Sequence, residues 1–165
     1  MNLTDTITLE NLYEIECHDA AGNLKWTDTI KNLVTTEGLN DVLNKYLKGS
    51  AYTAAWYVGL TSGTPTAAAG DTLASHGGWT EVTGYTGDRQ TLTLGTVAAG
   101  SVDNSASKAT FPITGTATIG GAFVASAATG TSGILYGVGA FTGGDKSVSS
   151  GDSLTATITL TAATA

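Results

Sequence analysis

Four groupings of residues in this chain have types and spacings that could do chemistry. Cys17 and His18 are adjacent, as in a thiolate activated by an imidazole. Gly137 and Gly139 lie one residue apart in SGILYGVGAF (residues 132–141), a spacing that opens dinucleotide-binding loops. Asp71, Asp88, Asp145 and Asp152 stand beside or near glycines, where paired carboxylates could hydrolyse a glycoside or ligate calcium. Trp56 and Trp79 could form a platform for a sugar ring.

Each pattern lacks a part that its chemistry needs. A dinucleotide fingerprint requires a third glycine where Thr142 stands, followed by a helix, yet the next residues (GGDKSVSSGD) read as turns. Lys146-Ser147 lacks the GxxxxG spacing of a phosphate loop. Cys17 shares the parity of Tyr13 and Ile15, which points its thiol into packing. The second histidine, His76, is distant from His18, and no CxxC or HExxH spacing exists. Gly-Asp is ordinary turn chemistry, and no D-x-D-x-D-G run is present. Trp56 lies in an apolar run and reads as core, while Trp79 follows His-Gly-Gly in a more open context. The expectation is therefore no catalytic, cofactor-binding or metal-ligating residues: no enzyme, but a protein that works by presenting a surface.

The bulk composition agrees. Only 13% of the 165 residues are charged, against about 25% in an average domain, and 22 are glycine. The net charge is −7, with Arg89 the only arginine. A chain of that sign lacks the basic footprint for direct nucleic-acid binding and is disfavoured on anionic membranes. The N-terminus has neither the basic start nor the apolar stretch of a signal peptide, and no run approaches the roughly 18 apolar residues of a membrane span. One cysteine cannot form an internal disulfide.

The elements that must position these residues fall into three parts. Residues 1–34 read as an N-terminal arm or β-hairpin: Tyr13, Ile15 and Cys17 alternate with Glu14 and Glu16, Leu24, Trp26 and Ile30 continue the alternation, and HDAAGN makes the turn. Residues 35–48 read as a helix, with Thr36 as cap, Gly49 as terminator, and Leu39, Val42, Leu43, Tyr46 and Leu47 on one face. Residues 50–165 carry only strand and turn signals, about eight strands at roughly 10-residue intervals, the spacing of an antiparallel β-sandwich or barrel. GTPTAAAGDTLASHGG (63–78) reads as a loop. In the strand around Gly137 and Gly139, Ile134, Tyr136 and Val138 share one side. The other side has a bare slot, expected to be filled by Trp56, by Phe123 or by a neighbouring subunit's backbone. All of this is one domain, mainly β, with one short helix.

Four stretches in order, YVGLTSGTPT, GWTEVTGYTGDRQTLTLG, ATFPITGTATIGGAFV and GDSLTATITL, resemble a group of small virion proteins of tailed bacteriophages. The shared features are a GLTS-like turn, the Tyr85-to-Arg89 segment, the Phe111-Pro112 strand and the Gly151-Asp152 turn, and the resemblance spans residues 9 to 161. It implies a virion structural protein of the capsid decoration, or cement, type. Such a protein is a β-sandwich of jelly-roll kind, made in the host cytoplasm. It would sit as a homo-oligomer, trimer or dimer, on the outer surface of the head and stabilise the lattice of the major capsid protein. The alternative it implies is a tail or fibre component involved in adsorption. In the decoration reading, residues 1–34 serve as a contact arm on the neighbouring capsid subunits.

Overall fold

The computed structural model describes residues 6–164. The segment 1–5, the tip of the expected arm, lies outside the described residues. In chain order the elements are β1 (Ile7–His18), β2 (Leu24–Lys31), β3 (Leu33–Val34), α1 (Thr36–Val42), β4 (Tyr57–Ser62), β5 (Thr80–Glu81), β6 (Gln90–Thr91), β7 (Ser101–Asp103), β8 (Ala109–Pro112), β9 (Ala117–Ile119), β10 (Gly121–Ala125), β11 (Leu135–Ala140), β12 (Lys146–Val148) and β13 (Ser153–Thr164).

Two antiparallel sheets face each other. The first has the order β2-β1-β13-β7, with β8 also on β13, and the second has β3-β11-β10-β4-β5, with β6 also on β4. A small β9-β12 ribbon stands beside them. The first and last strands pair along their whole length, from Ile7–Thr164 to His18–Ser153, the Greek-key manner of bringing a late strand back beside an early one. The core between the sheets takes Tyr13, Ile15, Cys17 and Ile30 from the hairpin, Phe111, Leu154 and Ile158 from β8 and β13, and Val58, Leu60, Ala122 and Val124 from the second sheet. This is the antiparallel sandwich with one short helix that the sequence leads one to expect. The β1-β2 hairpin is part of that sandwich and supplies its largest buried side chain, Tyr13, rather than lying beside the body as an arm.

Several elements differ from the sequence reading for identifiable reasons. The stretch TATIGGAFV is two strands, because the chain at Gly120 runs against the backbone of Gly63, where a Cβ would stand 2.0 Å from the carbonyl carbon. Most of RQTLTLGTV is irregular, with only Gln90–Thr91 paired. Leu24, at the hairpin end, is exposed although its parity is inward. The segment 63–79 passes over the outer face of the second sheet, where Leu73 and Trp79 pack on Phe123, Ala125, Leu135 and Val138 as a separate small core. The second sheet is therefore buried on both faces.

The slot at Gly137 and Gly139 is filled, but not by either expected aromatic. A Cβ on Gly139 would lie 2.4 Å from Ile30 Cγ2, and one on Gly137 would lie 2.5 Å from Asn32 Oδ1, so the end of β2 and Asn32 after it occupy the slot. Asn32 there donates to the buried Tyr13 hydroxyl. Phe123 has its own slot elsewhere: its ring covers Gly59, where a Cβ would lie 2.2 Å from the ring. The expected parity of the strand fails at its start. Val124 pairs with Gly137 and Ala125 with Leu135, so Tyr136 is the extra residue of a bulge. Leu135 is thereby turned to the outer side with Val138, and Tyr136 to the inner core.

Candidate interaction surface

The helix begins where two threonines meet a glycine. Thr35, not Thr36, is the cap: its hydroxyl accepts from the Gly38 N–H at 3.1 Å and donates to the Leu135 carbonyl. Thr35 N–H also donates to the Tyr136 carbonyl at 3.0 Å, and the Glu37 carboxylate accepts from Leu135 N–H at 3.2 Å. These bonds fix the first turn against the bulged end of β11. Gly38 makes the approach possible, since a Cβ there would stand 2.6 Å from the Tyr136 carbonyl oxygen. After Val42 the chain continues as one wider π-type turn, Leu43–Leu47, and Gly49 ends it at φ +72°.

The consequence reverses the usual amphipathic arrangement. Thr35, Gly38 and Asp41, spaced three apart, form the side that meets the sheet, and both residues buried within the helix come from that set. The apolar face expected to be its packing side, Leu39, Val42, Leu43, Tyr46 and Leu47, points to solvent. Tyr46 is 85% exposed and Leu47 73%.

Beside this face runs a groove of about 250 Å³ between the helix and the open end of the sandwich. Tyr46, Tyr52, Trp56, Tyr136 and Leu160 line it. Trp56 stands edge-on to Tyr136, with ring centroids 5.4 Å apart, and its indole N–H donates to the Tyr52 hydroxyl. Lys45 donates to the Ala51 carbonyl at 3.0 Å and lies over the Tyr52 ring at 5.8 Å. Asp41, only 8% exposed, also lines the groove, and its carboxylate accepts no hydrogen bond from any described residue.

The residues singled out by type and spacing do not converge on one site, and most hold turns or the core. Cys17 is fully buried, and burial, with Asp152 adding to it, pushes its thiol up to about 11, the opposite of an activated thiolate. Asp71 accepts from Ala68 N–H at 2.9 Å, and Asp145 accepts from the Thr64 hydroxyl at 2.7 Å. Asp152 accepts from Ser149 N–H at 2.8 Å and from Lys25 Nζ at 2.6 Å, and Asp88 is exposed. Trp79 is buried, with His76 stacked on it at 3.6 Å. Among the described residues no group of three His, Cys, Asp or Glu side chains could hold a metal ion. Arg89, at the end of the Tyr85 segment, is buried as well: it makes two 2.7 Å bonds to the Glu81 carboxylate and one each to the carbonyls of Ala127 and Gly130.

The sequence offers Asp41 as an acidic residue suited to the positive end of the helix dipole, and gives neither its buried place beside the groove nor the outward turn of the helix. The available signal was Gly38, which leaves one side of the helix nearly without side chain between Thr35 and Asp41. No helix among the described residues is long and apolar enough to cross a membrane.

The curated proteins contain no match to this chain. A family model does match, over residues 33–163, which takes in the helix, the groove and nearly all of both sheets apart from the β1-β2 hairpin. Its description is podophage GP4 fiber I protein gp80. The chain belongs to that family, and it is a bacteriophage structural protein.

Proposed function

We propose that this protein is a non-enzymatic component of a podophage fibre. The observation that carries this reading is the match of residues 33–163 to a fibre family. The side-chain chemistry supports it: Asp71, Asp145 and Asp152 are engaged in turn bonds and an ion pair, and the helix exposes an apolar face that suits assembly with protein. Capsid decoration, the reading favoured by the resemblance of the four sequence stretches, has no family description behind it, whereas the fibre alternative does. In the fibre reading the partners are proteins of the virion, this chain included, with no contact to nucleic acid or membrane.

Immunogold labelling of purified virions with antibody against the chain tests the assignment. Gold on the fibres is the expected result. Gold spread over the head, with fibres bare, overturns the fibre assignment in favour of decoration.

A further inference from the structure

We infer that the outward face of the helix is a self-association surface, covered in solution by the same face of a second copy packed antiparallel. Leu39, Val42, Leu43, Tyr46 and Leu47 recur in the sequence at i, i+3, i+4, i+7 and i+8, and all five are exposed, the last three on the π-type turn that continues the helix. Such a stripe packs on another helix, and this is the only one of more than one turn among the described residues. A second copy brings a stripe that matches it by construction, as a two-fold interface requires.

The area is close to what an interface needs. With ~150–250 Å² on each aromatic side chain and rather less on each aliphatic one, the exposed parts of the stripe and of Tyr52 come to on the order of 600 Å². That is at the upper end of the largest apolar patch on a typical monomer, ~300–600 Å². It approaches the ~800 Å² that one partner brings to a standard interface.

Charge selects the orientation. The stripe itself is uncharged, which lets two copies of a chain with net charge −7 approach there. Glu37 lies at the first turn and Lys45 and Lys48 at the last. Antiparallel packing sets the acidic end of one copy by the basic end of the other and opposes the two helix dipoles; parallel packing brings like charges together. The groove next to the stripe then receives side chains of the second copy, and Asp41 offers them an acceptor that the chain's own described residues leave unused.

Sedimentation of the full chain at tens of micromolar tests the inference without reference to where the protein sits in the virion. A dimer is expected. Tyr46→Glu and Leu43→Lys, both at exposed positions, should leave the circular dichroism unchanged and weaken self-association at least ~30-fold, the scale of a central interface residue. Mixing Leu39→Cys with Leu47→Cys chains should give a mixed disulfide in preference to either homodisulfide. A monomeric wild-type chain overturns the inference, and so does an oligomer indifferent to both charged substitutions. Homodisulfides in place of the mixed one overturn the antiparallel arrangement.

Discussion

Along β1, Tyr13, Ile15 and Cys17 are buried while Glu14 is exposed and Glu16 half-exposed. Along β10, five successive residues from Gly121 to Ala125 are all buried. The first sheet has one wet face, a ladder in which Glu14 stands between Thr29 and Thr157, and Glu16 between Thr27 and Thr155. The second has none, because segment 63–79 closes its outer side through Leu73 and Trp79. Strand alternation thus records which faces meet water rather than strand structure as such. A sheet covered twice needs no polar parity, and it can place glycines where a ring or a crossing chain must lie against the backbone, as at Gly59 and Gly139.

The covered face of the second sheet is centred on Phe123. Its ring is fully buried on the outer side of the second sheet, over Gly59, 4.9 Å from Trp79 and 5.1 Å from the Arg89 guanidinium. Phe123→Ala empties the centre of the small outer core and should destabilise the protein by about 3–5 kcal/mol, read by urea unfolding. Trp79 fluorescence should shift to the red as the covering segment loosens. A loss below ~1 kcal/mol would mean that segment 63–79 is not packed on the sheet, and the two sheets would then be alike.

The β1-β2 hairpin and the existence of the helix were legible in the sequence because each follows one period. Tyr13, Ile15 and Ile30 could be assigned to the core from alternation alone, and the helix from its Leu and Tyr spacing with Gly49 behind it. What was not legible depends on tertiary contact. The rule that an apolar stripe faces inward fails on the helix, where a glycine side docks on the Tyr136 carbonyl instead. The bulge at Tyr136 exchanges the faces of two neighbours without a sequence mark of its own. Asn32 fills the Gly137 slot, and a polar residue in a two-strand linker is not one that a search for bulky apolar fillers finds. The covering segment is rich in Ala, Gly and Thr and reads as loop; only Leu73 and Trp79 anchor it.

Asp28 connects the two sheets through a contact that depends on pH. It lies on β2 and holds the turn between β11 and β12. Burial pushes its pKa up, but the Lys146 ammonium at 2.9 Å, the Thr142 hydroxyl at 2.8 Å and the N–H groups of Thr29 and Gly143 outweigh that and hold it at about 2. An unfolded aspartate titrates near ~3.9. Since the folded value is the lower one, the stabilisation is complete above pH ~4 and is lost as the pH falls toward 2. Asp28→Asn should therefore cost about 1–2 kcal/mol at pH 7, with the difference from wild type closing by pH ~2. Urea midpoints at the two pH values check this. An equal difference at both would place the effect in shape rather than in the carboxylate.

The smallest effect belongs to the wet face and sharpens the contrast there. Lys108 and Glu16 form an ion pair at 3.1 Å with both side chains more than a third exposed, and Arg89 and Glu81 form one at 2.7 Å with the arginine side chain 4% exposed. The first is a single ammonium contact and the second a two-bonded guanidinium pair, and their surroundings differ as the two sheets do. Around Arg89 the guanidinium has given up its water for the carbonyls of Ala127 and Gly130, so its geometry is fixed by the covered side of the second sheet. Lys108 keeps about a third of its side chain in solvent, and its attraction to Glu16 competes with water and salt. Lys108→Ala should change stability by less than ~1 kcal/mol, and by nothing measurable at ~1 M salt. A larger loss that survives high salt would mean that the Thr/Glu ladder is covered in the folded protein. The difference between a singly and a doubly buried sheet would then disappear.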